Sequence, residues 1–272
     1  MQTKPIPCSG EPLGVIGLGT YVGFDVNGRG AYAPLQQVLH NLLDPGGSVI
    51  DSSPMYGRAE GVTGELLSAS ATGKRTFLAT KVWMRGEQAG IAQMNRSMEL
   101  LRTDRLDLMQ VHNLLDWRVH LKTMRRMKEA GRIRHIGVTH YTSSAYAELE
   151  TVLRAEPLDF VQLNYSVMDR AAERRLLPLA LERRVAVLAN LPLASGSALR
   201  AVVSRPLPAV AGELRCTSWA QLLLKFVVSH PAVTCAIPGT SRPEHMADNA
   251  AAGIGPLADG AQRERIARAC AA

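Results

Sequence analysis

Cysteine, aromatic residues and long apolar runs are scarce in this sequence, and each scarcity excludes a class of protein. The four cysteines stand far apart and form no C-x-x-C pair, so we expect no metal site, no redox-active thiol pair and a reducing cytoplasm. No apolar stretch approaches the roughly 20 residues that a membrane-spanning helix needs. The N-terminus lacks the apolar core of a secretory signal, and the sequence leaves open whether a leader was removed.

The formal net charge of +7 has two interpretations. One is a nucleic-acid-binding surface, but the basic residues are scattered along the chain and aromatic residues, which stack on bases, make up only 5%. The other is a set of solvated helix faces with a local field that favours a phosphorylated ligand. We favour the second interpretation and expect no nucleic-acid partner.

Short apolar runs alternate with helical patterns along the whole chain. Between the runs, apolar residues recur at steps of three and four, as at Trp117, Leu121 and Met124, which predicts amphipathic helices. Pro178 lies inside one such pattern, so that helix should start late or kink. The runs typical of buried strands are residues 14–18, 48–50, 76–79, 106–111, 135–138, 160–163, 185–189 and 233–237.

Strict alternation of strand and helix predicts a parallel sheet, and eight such units in 272 residues fit a closed (β/α)8 TIM barrel of the α/β class. We expect one domain spanning residues 1–272, with a short hairpin before Gly14 at the barrel floor and a C-terminal helix over 261–270. The main alternative is a Rossmann fold, because Gly17-Leu18-Gly19 follows a strand. That fingerprint requires a third glycine, and Val22 occupies its position.

Three ionisable residues stand at the ends of consecutive predicted strands. The run V-I-D ends at Asp51, F-L-A-T-K at Lys81 and L-M-Q-V-H at His112, while Tyr56 lies on the loop after the first run. Each residue alone has a structural explanation, but a TIM barrel keeps its chemistry at these strand ends. A lysine ammonium lowers the pKa of a neighbouring phenol, and a buried lysine needs a carboxylate partner. Together the four residues supply a proton donor and a group that orients a carbonyl oxygen.

With these motifs the chain resembles the aldo-keto reductase superfamily over nearly its whole length. The resemblance implies a monomeric or weakly oligomeric barrel reductase that uses a nicotinamide cofactor, usually the phosphorylated form. It implies that Tyr56 donates the proton, that Asp51 and Lys81 tune it, and that His112 positions the carbonyl. The matching stretches are G-L-G-T at 17–20, D-S-S-P-M-Y-G at 51–57, T-K at 80–81, D-L-M-Q-V-H at 107–112, I-G-V-T at 136–139, V-Q-L-N-Y at 161–165 and I-P-G-T at 237–240.

The same resemblance assigns the nicotinamide end of the cofactor site. Thr139, His140 and Gln162 match residues that hold the carboxamide, with His140 in place of the usual asparagine. Residues 189–193 read A-N-L-P-L where the family has A-Y-S-P-L, so Asn190 replaces a tyrosine that stacks on the nicotinamide ring. The other residues assigned to this end are Gly19, Thr20, Leu191 and Leu193.

Residues 238–243, P-G-T-S-R-P, should bind the other end of the cofactor. They lead into a helix with Pro243 in its first turn, and such a start presents free backbone amides to an anion. Arg242 could clasp a 2′-phosphate, so we expect NADPH to be preferred over NADH; the alternative is a simple capped helix. Gly239 stands where many relatives have a lysine. The full set assigned to this end is Pro238, Gly239, Thr240, Ser241, Arg242, His245 and Asn249, the last two matching adenosine contacts.

The predicted substrate wall is aromatic and mostly uncharged, which suits a small carbonyl compound with some apolar character. We expect an open pocket, because the stretch after 261–270 is too short for the C-terminal lid of many relatives. The predicted function is reduction of an aldehyde or ketone; the alternative is a nucleotide-binding sensor or regulatory subunit with little turnover. The wall residues are Tyr21, Phe24, Trp83, Asn113, Trp117, Tyr141 and Tyr165.

Overall fold

A computed structural model describes residues 1–69 and 76–271, and within them eight parallel strands form one sheet. The strands pair in unbroken chain order, and bridges from Ile16 to Ala236 and from Gly19 to Gly239 join the first strand to the last. The sheet therefore closes into the predicted barrel. The strands are β3 (Leu18–Gly19), β4 (Val49–Asp51), β5 (Phe77–Val82), β6 (Leu106–His112), β7 (Ile133–His140), β8 (Phe160–Asn164), β9 (Ala186–Asn190) and β10 (Val233–Ala236).

Helices follow the strands and form the outer layer. Their apolar faces pack on the outward residues of the strands, such as Ile50, Met109 and Val161, to form the larger of two buried clusters. No helix in the described part of the chain is long and apolar enough to cross a membrane. The helices are α1 (Tyr32–Leu43), α2 (Ala59–Ser68), α3 (Glu87–Leu101), α4 (Trp117–Glu129), α5 (Tyr146–Ala155), α6 (Leu176–Glu182), α7 (Ser197–Val202), α8 (Ala209–Glu213), α9 (Trp219–Val228), α10 (Pro243–Ala251) and α11 (Gly260–Ala271).

The first predicted strand, 14–18, differs from the structure in its bounds. Gly14 ends the second strand of an antiparallel hairpin, β1 (Thr3–Pro5) and β2 (Pro12–Gly14), and the barrel strand begins only at Leu18. Ile6 and Leu13 from this hairpin are buried among the inward residues of the barrel. The expected hairpin at the barrel floor is therefore present.

Gly17 and Gly19 belong to strand packing rather than to a dinucleotide fingerprint. A Cβ atom on Gly17 would lie 2.8 Å from the Cβ of Val49, and one on Gly19 would lie 3.1 Å from the Ile237 carbonyl oxygen. Glycine is required because neighbouring strands approach closely here. With the unbroken strand order, this excludes the Rossmann alternative.

Pro178 is the third residue of α6, which begins at Leu176 after a 3-10 turn. A proline in the first helical turn removes an N–H that has no partner within the helix, so its cost is small. The helix therefore starts late, as the sequence indicated.

The side chains inside the barrel are apolar at the floor, where the strands start, and polar at the mouth, where the strands end. Inward side chains near the start of the strands, including Phe77, Leu108 and Phe160, form a second buried apolar cluster. Because side chains alternate between the two faces of a strand, the inward residues four positions after Phe77 and Leu108 are Lys81 on β5 and His112 on β6. The polar residues therefore collect at the carboxyl ends of the strands.

Candidate active site

A buried ion pair lies at the centre of the barrel mouth. Lys81, on β5, is fully buried, and its Nζ lies 2.6 Å from Oδ2 of Asp51, the last residue of β4. The ammonium also donates to the Ser52 carbonyl oxygen at 2.8 Å. Burial alone would lower the pKa of Lys81, but the charge of Asp51, the Tyr56 hydroxyl and the hydrogen bonds to both together hold that pKa above its ordinary value. Lys81 is therefore a fixed positive charge.

The second oxygen of Asp51 is held by two amides from other strands. Gln110 Nε2 donates to Asp51 Oδ1 at 3.2 Å, and Gln162 Nε2 donates to the same atom at 3.0 Å. Thr139 in turn donates its hydroxyl to Gln162 Oε1 at 3.2 Å. Gln110 was missed in the sequence, although a polar residue two positions before His112 in an apolar strand falls on the same inward face. These bonds fix the carboxylate under Lys81.

Tyr56 lies beside the ion pair on the loop after β4. Lys81 Nζ is 5.0 Å from the centroid of the Tyr56 ring, and the Tyr21 ring packs at 5.0 Å on the Tyr56 ring. Burial raises the pKa of Tyr56, the Lys81 charge opposes that rise, and Asp51 adds to it. The pKa ends above its ordinary value. The predicted lowering by the ammonium is present, but the cost of moving a phenolate out of water, which the sequence interpretation did not count, is larger.

His112 faces Tyr56 across the site, with ring centroids 6.2 Å apart. Its Nδ1 lies 3.2 Å from the Ser53 hydroxyl, a contact that the sequence did not indicate. Burial and the positive charge of Lys81 lower the pKa of His112 to about 3. The imidazole is therefore neutral at physiological pH, so one of its nitrogens donates a hydrogen bond and the other accepts one.

The residues assigned to the nicotinamide end gather where β7, β8 and β9 end. The backbone pairs Asn164 with Asn190 and Thr139 with Gln162. The Oδ1 atoms of Asn164 and Asn190 are buried and have no partner among the described atoms. His140 accepts from the Thr142 backbone N–H at 3.2 Å, and burial lowers its pKa, so it too is neutral. Leu191 and Leu193 follow on the next loop, with Leu191 in the left-handed region at φ 46°.

The residues assigned to the phosphate end lie between β10 and the start of α10. Arg242 is the N-cap residue of α10, is exposed, and pairs with Glu244 at 2.6 Å. The Thr240 hydroxyl accepts from the Arg242 backbone N–H at 3.1 Å. Ser241 and His245 are exposed beside them, whereas Asn249 is buried on α10. Gly19 pairs with Gly239 here, so both predicted glycine positions border the same site. Thr20 is buried, and its hydroxyl donates to the Ser52 hydroxyl.

Three of the predicted wall residues are exposed around the mouth: Tyr21 at 65%, Tyr141 at 54% and Trp83 at 37%. Asn113 lies just after β6 and is partly buried.

Phe24 and Tyr165 do not line the mouth. Phe24 is fully buried, and Tyr165 packs on Phe226, with its hydroxyl bonded to Glu173 and Arg263 in the outer helical layer. Their assignment to the substrate wall was wrong, because an aromatic residue near a strand end can turn outward into the core. Trp117, another predicted wall residue, is only 6% exposed and packs mainly in the same core.

The chain is similar in sequence and in fold to known aldo/keto reductases. The model described as "Aldo/keto reductase family" matches residues 15–264. Methylglyoxal reductase YeaE of Escherichia coli is 32% identical over 262 residues, which cover 92% of this chain and 89% of that protein. An aldo/keto reductase of Klebsiella pneumoniae, solved with NADP and acetate, aligns with a TM-score of 0.80 at 27% identity and covers 98% of this chain and 95% of its own.

A second structure from Klebsiella pneumoniae, an aldo-keto reductase in complex with NADPH, gives the same TM-score of 0.80 at 28% identity. It also covers 98% of this chain and 95% of its own. The similarity therefore extends over the barrel as a whole.

Proposed function

This chain belongs to the aldo/keto reductase family and is an NADP-dependent carbonyl reductase, and we propose that Tyr56, Lys81, Asp51 and His112 carry its reaction. NADPH, when bound, supplies a hydride to the carbonyl carbon. Tyr56 donates its hydroxyl proton to the carbonyl oxygen, and the product is an alcohol. The observation that supports these roles most strongly is the buried Lys81–Asp51 pair beside the Tyr56 ring.

The electrostatics of the mouth suit a proton donor. A general acid must hold its proton before the reaction, and the raised pKa of Tyr56 keeps the phenol neutral. When the proton leaves, the fixed Lys81 ammonium stabilises the tyrosinate. Neutral His112 can donate an N–H to the carbonyl oxygen without placing a second positive charge beside Lys81.

The residues at the ends of β7, β8 and β9 fit a nicotinamide. The unpartnered oxygens of Asn164 and Asn190 are acceptors that a carboxamide N–H or a ribose hydroxyl can fill. Thr139, His140, Gln162, Leu191 and Leu193 border the same space in our assignment. Asn190 offers no π-surface, and the absence of a stacked aromatic ring weakens cofactor binding by about 1 kcal/mol on the scale of aromatic pair energies.

Arg242 and the start of α10 support a preference for NADPH. The helix start presents backbone N–H groups, and the Arg242 guanidinium is available at the surface. Residues Gly239, Thr240 and Ser241 directly precede Arg242 in the chain. Glu244 shares the Arg242 charge, and a 2′-phosphate would compete with that carboxylate for the guanidinium. Because this end carries no lysine at Gly239, the preference rests on Arg242.

We propose small aldehydes and ketones as substrates. Tyr21, Trp83 and Tyr141 give the mouth an apolar, uncharged rim, and their exposure leaves it open. The relative that is 32% identical is named for methylglyoxal, which makes 2-oxoaldehydes the first compounds to assay.

We propose that the protein is a single-domain monomer or weak homo-oligomer of the cytoplasm, without a nucleic-acid partner. Many of its surface arginines are paired with carboxylates, as Arg265 is with Glu213 and Arg170 with Glu264, which reduces the charge available to phosphates. Retention on a DNA column that falls with salt would contradict this assignment.

Substitution of Tyr56 by Phe tests the proposed function. We expect NADPH oxidation with methylglyoxal to fall by roughly 100-fold to 10,000-fold, the usual contribution of a general acid, while NADPH binding measured by fluorescence stays unchanged. The matched control is Tyr21→Phe, which loses a hydroxyl in the same mouth and should retain turnover. Equal turnover of Tyr56→Phe and the wild type would reject the assignment. Binding of NADPH with no turnover of any carbonyl by the wild type would favour the regulatory alternative.

The cofactor preference needs its own comparison. We expect kcat/KM to be higher with NADPH than with NADH, and Arg242→Gln to reduce the NADPH value while leaving the NADH value unchanged. A wild-type preference for NADH would reject the assignment of Arg242.

A further inference from the structure

Three side chains at the barrel floor bring a sulfur, a nitrogen and an oxygen atom together. Cys8 Sγ lies 3.8 Å from His135 Nδ1, and His135 Nδ1 lies 3.9 Å from Asp159 Oδ2. The ligand atoms of the three residues all fall within 4.8 Å of one another. Within the described residues, this is the one cluster of three histidine, cysteine or acidic side chains that could hold a metal ion.

The three residues come from separate parts of the fold. Cys8 lies in the turn of the N-terminal hairpin, between β1 and β2. His135 is near the start of β7, at the opposite end of that strand from Thr139, and Asp159 directly precedes β8. No spacing in the sequence points to the cluster, because 127 residues separate Cys8 from His135. The cluster ties the hairpin to the barrel.

The geometry distinguishes a metal site from a proton relay. In a Cys-His-Asp relay, the thiol and the carboxylate contact different nitrogens of the imidazole. Here Cys8 and Asp159 both approach Nδ1, and the other nitrogen, Nε2, is buried without a partner among the described atoms. Three ligand atoms within 4.8 Å of one another can share a cation, whereas this arrangement cannot pass a proton through the ring.

We propose that Cys8, His135 and Asp159 bind a divalent transition-metal ion of the Zn²⁺ type, which fastens the N-terminal hairpin to the barrel floor. Thiolate, imidazole and carboxylate are ligands that zinc accepts together, and three protein ligands leave a fourth position for water. Tetrahedral zinc bond lengths place neighbouring ligand atoms about 3.3–3.6 Å apart. The Cys8–His135 and His135–Asp159 distances of 3.8 Å and 3.9 Å exceed that geometry by about 0.2–0.6 Å, so the three side chains must close slightly around an ion.

The rest of the site supports the ligands and gives them access to solvent. The Ile136 backbone N–H donates to Asp159 at 2.8 Å, which orients the carboxylate. The His135 ring packs on Phe77 and Phe160, which also contact each other, and it is almost fully buried. Cys8 is exposed, and a cavity of about 610 Å³ lies beside Cys8 and Asp159, so an ion can enter.

Lys128 is a built-in competitor for the site. Its Nζ lies 2.5 Å from Asp159 Oδ2, where it supplies the positive charge in the metal-free protein. The Lys128 side chain is 39% exposed, so it can turn to solvent when a metal binds. Removing this ammonium should therefore strengthen metal binding, which is the opposite of what a merely structural lysine would do.

Cobalt titration tests the proposal, because a thiolate ligand gives Co²⁺ an intense near-ultraviolet absorption band. With metal-free full-length protein under reducing conditions, we expect the band to saturate at one equivalent and Zn²⁺ to displace it. Cys8→Ser should abolish the band and weaken Zn²⁺ binding by at least roughly 100-fold, because a direct ligand contributes more than the outer residues that orient it, whose loss costs up to about 100-fold. Cys270→Ser, which removes a thiol elsewhere, is the matched control and should behave as the wild type.

Two further measurements distinguish a bound metal from a simple contact between the three side chains. Lys128→Met should bind Co²⁺ several-fold more tightly, and excess Zn²⁺ should raise the melting temperature of the wild type but not that of Cys8→Ser. Carbonyl reduction should not change with metal, because the cluster lies at the opposite end of β7 from the mouth. The absence of a thiolate band in the wild type, or an equal band in Cys8→Ser, would overturn the proposal.

Discussion

The mouth and the floor of the barrel both gather ionisable side chains, but they hold them in different ways. At the mouth, Lys81 and Asp51 are inward strand residues, and both are almost inaccessible to water. At the floor, the inward positions are mostly apolar, and the charges of Lys128 and Asp159 come from a helix and a loop at the rim. The charged side chains at the mouth are therefore fixed in place, which suits proton transfer. Those at the floor are partly exposed, so they can leave their partners and turn towards solvent.

Substitution of Lys81 by Met should separate the two ends most strongly. It leaves the Asp51 charge buried without its partner, which should lower the free energy of unfolding by about 3–5 kcal/mol. Carbonyl reduction should fall as well, because the tyrosinate loses its stabilising charge. Urea denaturation and kcat measure the two effects.

The matched control is Lys128→Met at the floor. The Lys128–Asp159 pair is partly exposed, so its loss should cost about 1 kcal/mol or less and leave turnover unchanged. Equal destabilisation by the two substitutions would show that the difference in burial between mouth and floor has no energetic meaning.

The neutral His112 should make stability depend on pH. Its pKa is lowered from 6.5 to about 3, so between these values the unfolded chain binds a proton that the folded chain does not. Stability from this residue is complete above pH 6.5 and is lost as the pH falls towards 3, with a slope of up to about 1.4 kcal/mol per pH unit. We expect His112→Asn to flatten the dependence of the unfolding free energy on pH. Parallel curves for the two proteins would contradict the assignment.

Asn190 is expected to give the smallest effect. Asn190→Tyr would supply a ring on which the nicotinamide can stack, worth about 1 kcal/mol or roughly a fivefold lower Kd for NADPH. Fluorescence titration measures the Kd, and Asn190→Leu controls for added apolar area. Weaker binding by both variants would mean that the Asn190 amide itself holds the cofactor.

Much of the barrel could be predicted from the sequence because strand and helix alternate with clear periods. The helix α2 has a weaker apolar period than the others, since Gly61 and Gly64 interrupt its apolar face. A Cβ on Gly64 would overlap the Leu100 backbone, so this glycine allows close packing of α2 on α3. A residue that is required by a neighbouring helix carries no periodic signal in its own segment.

The site divides in the same way. Asp51, Lys81 and His112 were identified because each ends an apolar run in the sequence, and the structure brings them together at or next to the ends of β4, β5 and β6. The direction of the Tyr56 pKa could not be predicted, because it is the balance of burial against the Lys81 charge, and burial depends on the folded loop. The Cys8 cluster could not be predicted either, because its members meet only when the barrel closes over the hairpin.

We propose that Lys81 makes the Tyr56 phenol a stronger acid than its burial alone would allow. Spectrophotometric titration of the phenolate tests it directly, with each protein measured against its own Tyr56→Phe counterpart to isolate this tyrosine. We predict a lower Tyr56 pKa in the wild type than in a folded Lys81→Met variant. The same pKa in both proteins would mean that Lys81 does not act on the Tyr56 phenol.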